Sequence, residues 1–311
     1  MCEFYHESVL LKESIEYLVT DKRGIYIDAT LGGGGHTLKV FELYNKPIVI
    51  GFDEDMDAIN YSKKRLIAYK DRFIVVNKNF SEVYETIKEL NYTGVINGII
   101  FDLGISSFQI DNKEKGFMYR EDSPLDMRMN RLKGISASDF LNSASEFKIA
   151  QVLYEYGEEK KSKFLAKKLV EIRKTKQIKT SNDFIEIVRG LYKPNELNKN
   201  LSRLFQALRI EINNELENLK IALKNCLDIL ITGGRIVVIT YHSLEDRIVK
   251  NFFKEYSREC NCPTRFPQCM CGANKRLNLI NKKPIIPNEM EIEKNIRARS
   301  AKMRIAEKIE Q

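Results

Sequence analysis

The stretch Gly24-Ile-Tyr-Ile-Asp28-Ala-Thr-Leu-Gly32-Gly-Gly-Gly35-His36-Thr37 predicts a buried strand that ends in a glycine turn. The strand contains two β-branched isoleucines around a tyrosine, a composition typical of β structure. The four glycines can adopt positive φ without strain and let a ligand approach the backbone, because they carry no Cβ. A short helix is expected from Thr37 to Leu43, and the unpaired N–H groups at a helix start favour a carboxylate, phosphate or hydroxyl group. The stretch therefore predicts a ligand site.

The glycine turn fits one class of cofactor better than another. A dinucleotide-binding turn has the pattern G-x-G-x-x-G, but Leu38 stands where its third glycine would fall. Asp28 before the turn and Asp53 at the end of the next apolar run favour S-adenosylmethionine instead, with the glycines against its amino-acid end and an acid on its ribose hydroxyls. For the glycines alone, a tight turn without a ligand is the alternative. Asp53 shifts the balance toward a site.

Four more apolar, strand-like runs follow, at 47–53, 73–77, 95–102 and 235–241, with helical segments between them. Continuous apolar strands that alternate with helices predict an α/β fold with a mostly parallel sheet covered on both faces. Ligands bind beyond the carboxyl ends of such strands, so Asp28, Asp53, Phe80 and Asp102 are expected to converge. Phe80 suits stacking on adenine. Taken singly, each acid has a helix cap as its alternative and Phe80 an ordinary core position. Residues 300–306 predict a half-exposed edge strand that closes the sheet.

The strand rhythm is interrupted after Gln109. Residues 111–203 contain only helical patterns, at 137–141, 145–156, 162–174 and 181–190, and the parallel pattern resumes with a predicted helix from Leu204 to Leu230. We therefore expect a discontinuous domain, 1–110 and 204–311, interrupted by an all-helical insert at 111–203.

All of the surplus positive charge lies in this middle third. The chain has a net charge of +8, and residues 113–209 contain 21 lysines and arginines against 13 acidic residues. Between Lys160 and Lys179, only Glu171 opposes the basic side chains. A solvated helix face is the ordinary explanation. The position of the insert beside the predicted site favours a surface for a polyanion such as RNA.

Two further groups of residues are candidates for chemistry. His242 follows the last parallel strand, where a proton acceptor, a hydrogen-bond donor to substrate and a helix-capping residue are the alternatives. Four of the six cysteines cluster, as Cys260, Cys262, Cys269 and Cys271. Four thiolates could close a tetrahedral zinc site, but paired C-x-C spacing is less diagnostic than C-x-x-C, so zinc is possible without being favoured.

Composition limits the cellular setting. At 311 residues, with 43% hydrophobic and 30% charged residues, the chain is typical of soluble globular proteins of one large domain with an insertion, or of two domains. A signal pattern is not recognisable at the amino terminus, and no apolar run reaches the roughly 20 residues of a spanning helix. Clustered cysteines in a chain of this length favour a reducing compartment. A cytoplasmic protein without a membrane partner is expected.

Several motifs together carry a family resemblance. They are His6 with Val9-Leu-Leu11, Tyr26 to Gly32, Gly34-Gly-His36, Asp102-Leu-Gly-Ile-Ser-Ser107, Gln109, Arg120, Ser123-Pro-Leu-Asp-Met-Arg-Met129, Phe205 to Ile210, Asn214-Glu-Leu216, His242 to Arg247, and Arg297 to Ser300. With these motifs the chain resembles the bacterial 16S ribosomal RNA cytosine-N4 methyltransferases over nearly its whole length.

The resemblance implies a class I, Rossmann-like methyltransferase sheet with a helical RNA-recognition domain. It also implies N4-methylation of a cytidine in the decoding centre of 16S ribosomal RNA, on the small subunit, with S-adenosylmethionine as cofactor. The family's cofactor contacts correspond to Gly34, Gly35, His36, Asp53, Phe80, Asp102 and Gln109. The cysteine cluster is not part of the family pattern.

Methyl transfer from a sulfonium is an in-line displacement that needs positioning more than acid–base chemistry, and it needs no metal. An acceptor on the cytosine amine would take the proton as charge develops. Asp102 is the first candidate for this role and His242 the second. A non-catalytic RNA-binding or ribosome-assembly factor that keeps the cofactor pocket is the alternative function. An enzyme acting on a small molecule or a protein is a third, which leaves the basic insert unexplained.

Overall fold

The computed structural model describes residues 8–106, 109–110, 112–260, 262 and 275–310. The described part divides into two compact units, Met1–Gly104 with Leu216–Gln311, and Ile105–Glu215. The sequence prediction set these boundaries at 110/111 and 203/204.

The first unit is built on a seven-stranded sheet with the order β3-β2-β1-β4-β5-β7-β6. Its strands are β1 (Ile25–Asp28), β2 (Ile48–Phe52), β3 (Phe73–Val76), β4 (Ile96–Asp102), β5 (Leu230–Thr240), β6 (Leu277–Leu279) and β7 (Lys302–Lys308). Strands β1 to β5 pair in parallel, and β7 runs antiparallel to β5 and β6. The predicted α/β class with a mostly parallel sheet is confirmed.

Helices cover both faces of this sheet. They are α1 (Leu11–Leu18), α2 (Gly35–Leu43), α3 (Met56–Arg65), α4 (Val83–Glu89), α10 (Glu215–Ile229), α11 (Ser243–Tyr256) and α12 (Glu289–Lys294). Successive strand residues point to opposite faces; Ile27 and Ile50 join one buried cluster, whereas Tyr26 and Val49 join the other. Burial on both faces explains why the strands are continuously apolar. Of the described helices, none combines the length and the apolar character needed to cross a lipid bilayer.

The expectation of an edge strand at 300–306 is wrong in one respect. The strand exists as β7, but it pairs with β5 on one side and with β6 on the other. Met303, Ile305 and Ala306 are fully buried, as residues of an interior strand should be. Strand β6 comprises only three residues, too few to show a hydrophobic period, and it takes the edge position instead.

The second unit is helical, with α5 (Ala137–Ser143), α6 (Glu146–Glu155), α7 (Ser162–Ile172), α8 (Ser181–Arg189) and α9 (Pro194–Asn213). The side chains of Ser136, Ser145 and Thr180 cap the starts of α5, α6 and α8 by accepting backbone N–H bonds. One apolar core unites the helices, with Phe184 and Leu204 at full burial.

The helix predicted from Leu204 to Leu230 is two helices. The chain breaks at Asn214, whose φ of 51° places it in the left-handed region. Asparagine tolerates this conformation better than most residues and commonly ends helices there. Helix α9 also begins earlier than predicted, with Pro194 in its first turn, where proline's missing N–H is not needed.

Candidate active site at the carboxyl edge of the sheet

The glycine turn after β1 is shaped by two residues with positive φ. Gly32 has a φ of 48° and Gly34 a φ of 71°, and Gly34 immediately precedes α2. A Cβ on Gly34 would lie 3.0 Å from Leu66 Cδ1, and a Cβ on Gly35 would overlap Ser8 Oγ. Gly34 therefore requires glycine both for its backbone conformation and for the space around it, whereas Gly32 requires it for conformation and Gly35 for space.

Asp53, directly after β2, is bound to this turn. Its Oδ2 accepts the N–H of Gly32 at 2.8 Å, and its Oδ1 accepts the N–H of Asp55 at 2.8 Å. Loss of solvation nevertheless raises the pKa of Asp53 to about 7, because the surrounding protein disfavours the charged form. Each carboxylate oxygen has further acceptor capacity for a ligand hydroxyl.

Asp28, at the end of β1, is engaged in a hydrogen bond within the protein. It is buried, and its Oδ2 accepts a hydrogen bond from the hydroxyl of Thr37 at 2.7 Å. Burial raises the pKa of Asp28 above its usual value. The bond joins the strand end to the first turn of α2, so Asp28 holds the two sides of the glycine turn together.

His36 lies inside the same turn and is buried. Burial lowers the pKa of His36, and its Nδ1 is 3.9 Å from Asp102 Oδ2, too far for a hydrogen bond. Within the described part of the chain, its Nε2 is buried and makes no hydrogen bond. A buried polar atom without a partner costs free energy, so the Nε2 atom is a group that a bound ligand could satisfy.

Asp102 ends β4, and its carboxylate is oriented by the neighbouring strand. The hydroxyl of Tyr241, one residue beyond β5, donates to Asp102 Oδ1 at 2.7 Å. The backbone N–H of Asp102 donates to Thr30 Oγ1 at 2.6 Å. Desolvation raises the pKa of Asp102 to about 7, and the bond from Tyr241 opposes that rise. The side chain keeps 21% of its accessible surface, so a ligand can reach it.

Comparison with known proteins is decisive at this point. Residues 3–309 match the model of the MraW methylase family. The chain belongs to this family. A relative from Carboxydothermus hydrogenoformans named ribosomal RNA small subunit methyltransferase H is 45% identical over 99% of both chains. Proteins of the same name from Caldicellulosiruptor bescii and Fusobacterium nucleatum are 45% and 43% identical; they cover 98% of this chain and 100% and 97% of their own. The resemblance found in the sequence is confirmed.

In this MraW methylase family member, Phe80 lies in a 3-10 turn, Phe80–Glu82, after β3. Its ring meets the ring of Phe101 edge to face, with centroids 5.7 Å apart, and packs against the core that contains Ile27. Part of the ring remains accessible. The structure thus gives Phe80 a core contact, and stacking on adenine stays a prediction for its free surface.

His242 is held as a helix cap in this member of the family. Its Nδ1 accepts the N–H of Glu245 at 3.4 Å, and its Nε2 lies 3.1 Å from Glu245 Oε1. The other oxygen of Glu245 accepts the N–H of Tyr241 at 2.8 Å. The helix-capping alternative fits this geometry, and a catalytic role for His242 stays a prediction.

The remaining predicted residues are Gln109 and the four clustered cysteines. Gln109 belongs to the second unit, where its Oε1 accepts the N–H of Ser106 at 3.0 Å. Cys269 and Cys271 lie outside the described residues. Cys260 is exposed and its Sγ accepts the N–H of Cys262 at 3.4 Å. Zinc at this cluster stays possible without being favoured.

Tyr241 is the functional candidate that sequence reasoning missed. It precedes His242 in the sequence, and only His242 was predicted as a candidate. The signal was present, because β4 and β5 were both predicted strands, and residues that follow adjacent parallel strands lie at one edge. Which strands are adjacent becomes known only from the sheet order.

Proposed function

We propose that this chain transfers a methyl group from S-adenosylmethionine to N4 of a cytidine in the decoding centre of 16S ribosomal RNA, on the small subunit. The observation that carries the proposal is the edge formed by the glycine turn, Asp53, His36 and Asp102 in a chain of the MraW methylase family. The names of its relatives supply the class of RNA.

The residues at this edge fit the cofactor. S-adenosylmethionine supplies a methyl group on a positively charged sulfur. Gly34 and Gly35 leave the backbone of the turn open, and the unpartnered Nε2 of buried His36 offers a hydrogen bond. The Asp53 carboxylate keeps acceptor capacity for ribose hydroxyls. Phe80 offers an aromatic surface for adenine, and Gln109 stays in the proposed set through the family resemblance.

Asp102 is the proposed proton acceptor. The lone pair of the cytosine amine is delocalised into the ring, and a carboxylate that accepts its N–H helps localise that pair. With a pKa of about 7, Asp102 is partly ionised near neutral pH and can hold the proton that the amine loses. Tyr241 fixes the orientation of the carboxylate through Oδ1, which leaves Oδ2 for the substrate.

The helical unit is proposed to hold the RNA. The excess of basic residues in 113–209 favours contact with phosphates, whose attraction is electrostatic and independent of sequence. The target base must be unpaired or flipped out, because pairing engages its amine.

The test uses small ribosomal subunits from cells that lack the gene, with methyl-labelled S-adenosylmethionine and purified protein. Mass spectrometry of the digested RNA should show labelled N4-methylcytidine at one site. Calorimetric binding of the cofactor without label in the RNA would favour the non-catalytic assembly factor. Label on a small amine but not on RNA would favour the third alternative.

The two proton acceptors are tested by substitution. Asp102→Ala should lose most of its single-turnover rate at saturating cofactor, and His242→Ala reports on the second candidate. If both variants bind cofactor normally and keep the full rate, neither residue is the acceptor.

A further inference from the structure

The basic side chains of the helical unit fall into two sets, and the first set is occupied within the protein. Three of these cations donate to backbone carbonyl oxygens and one pairs with an acid: Lys161 with Leu191 O at 2.8 Å, Lys168 with Ile187 O at 2.9 Å, Arg173 with Leu141 O at 2.7 Å, and Lys176 with Asp183 at 2.6 Å. These side chains join helices of the unit to one another. These side chains contribute to the net charge of the unit, but their N–H donors are already engaged within the protein.

The second set points into solvent. Lys160, Lys163 and Lys167 are exposed, and among the contacts of the described residues their side chains make no ion pair or hydrogen bond. Lys163 and Lys167 are one helical turn apart on α7, away from the buried face that carries Leu165. Glu171 follows one turn later on the same face, so the local balance stays positive.

Aromatic rings are exposed on the same pair of helices. Phe164 on α7 is 61% exposed, and Phe147 and Tyr154 on α6 are 79% and 62% exposed. Phe147 and Tyr154 lie two turns apart on one face of α6, about 10.5 Å along its axis. Helices α6 and α7 pack against each other through their opposite, buried faces. Of these rings, Phe164 lies on the exposed side of α7 together with Lys163 and Lys167.

We propose that the α7 surface, defined as Phe164 with Lys160, Lys163 and Lys167, binds unpaired RNA. A nucleobase stacks on the ring of Phe164, and phosphates lie against the three lysines. Every base has a flat face, so stacking on aromatic side chains is tolerant of sequence, whereas the bases of a duplex are hidden from such contacts. The free lysines select a polyanion over a neutral or basic protein partner. The inference rests on the proposed function for the choice of RNA as that polyanion.

The test measures binding of the full chain to a fluorescent 12-nucleotide unstructured pyrimidine RNA by anisotropy at several salt concentrations. Stacking contributes about 1–3 kcal/mol per base, which converts to a roughly 5- to 150-fold loss of affinity for Phe164→Ala. Phe164→Leu should lose as much as Phe164→Ala, because leucine is apolar without a π face, and Phe164→Tyr should retain affinity. Ile67→Ala, at a residue 65% exposed in the other unit, is the matched control and should leave affinity unchanged.

The salt dependence of the affinity distinguishes stacking on Phe164 from phosphate contacts to the lysines. Phe164→Ala should keep the slope of log affinity against log salt, since it removes no charge. The double variant Lys163→Gln/Lys167→Gln should lower the slope by about 1.4, because each phosphate contact contributes about 0.7 on single strands. All variants are at exposed positions, and thermal melting confirms that each is folded.

Three results would overturn the proposal. Phe164→Leu could bind as the wild type does, which excludes stacking. An unchanged slope in the lysine variant would remove the phosphates from this surface. If sedimentation shows self-association of the wild type that Phe164→Ala removes while RNA affinity stays intact, the surface is an interface between copies.

Failure of the inference is distinguishable from failure of the proposed function, because methyl transfer to small subunits is measured separately on the same proteins. If the protein methylates small subunits and all variants bind RNA equally, the proposed RNA-binding surface is refuted and the proposed function stands. If the variants show the predicted pattern of RNA binding but no protein methylates small subunits, the surface is supported and the proposed function is refuted.

Discussion

Replacing Tyr241 by phenylalanine tests the proposed role of Asp102. The substitution removes only the hydroxyl that donates to Asp102 Oδ1 at 2.7 Å. A hydrogen bond to a charged group contributes about 1.5–3 kcal/mol, and one pKa unit corresponds to 1.36 kcal/mol. Because the bond stabilises the ionised form, its loss should raise the pKa of Asp102 from about 7 by roughly 1–2 units.

The rate of methyl transfer should follow the ionised fraction of Asp102. In the wild type, the single-turnover rate at saturating cofactor and RNA should rise through a midpoint near pH 7. In Tyr241→Phe, the midpoint should move up by roughly 1–2 pH units, so that the rate at pH 7 falls roughly 5- to 50-fold and recovers at higher pH. The assay is rapid quenching with labelled cofactor across pH 5.5 to about 9.5.

Tyr26→Phe is the matched control for this experiment. The hydroxyl of Tyr26 is a partly buried donor at 2.7 Å to the backbone oxygen of Asp21, before the start of β1. Its removal should lower the melting temperature and leave the midpoint unchanged. Equal midpoints for Tyr241→Phe and wild type, or a rate reduced by one factor at every pH, would refute the coupling between Tyr241 and Asp102.

Three further substitutions test the structure around the site. Gly34→Ala places a side chain at a φ of 71° and 3.0 Å from Leu66 Cδ1. Calorimetry should therefore show weaker cofactor binding and a loss of about 1–2 kcal/mol in stability. The control Gly94→Ala, at a φ of 74° in open space, should lose stability but leave cofactor binding unchanged. Asp53 has a folded pKa of about 7, above its unfolded value, so its contribution to stability is complete below about pH 4 and is lost as the pH rises through 7. Asp53→Asn should therefore flatten the fall in the free energy of unfolding between pH 5 and 8, measured by denaturant titration, and an unchanged slope would contradict the raised pKa. Asn214→Ala should destabilise the protein by about 1 kcal/mol because of its φ of 51°, whereas Asn214→Gly should be neutral or better in the same titration.

The sheet was predictable because its strands are buried on both faces. Such strands are continuous apolar runs, and the predicted 95–102 differs from the observed Ile96–Asp102 by one residue. The break at Asn214 was not predictable from hydrophobic period, because the apolar pattern continues on both sides of it. Strand β6 was missed for a related reason, since Leu277–Leu279 is too short to carry a pattern.

The site was predictable as a set of strand ends but not as a set of bonds. The sequence places Asp53 and Asp102 after their strands, and parallel pairing brings those ends to one edge. The bond between Tyr241 and Asp102 joins residues 139 positions apart, and it depends on β5 lying next to β4. Similarly, charge counting treated the lysines of the insert as equivalent, although Lys168 is tied to a carbonyl and Lys167 is not.

The edge of the sheet is where this protein departs from the arrangement that stability alone would favour. Ionisable groups with shifted pKa values lie next to a core that is otherwise apolar, and desolvation is the largest cause of the shifts in Asp53, Asp102 and His36. Backbone N–H groups and hydroxyls near the strand ends donate hydrogen bonds that offset part of the desolvation free energy, as the Gly32 N–H does for Asp53 and the Tyr241 hydroxyl for Asp102. The Nε2 of His36 remains unsatisfied within the described residues. Local conflict of this kind within a consistent fold is expected at functional sites, which is why a ligand is the simplest physical account of this edge.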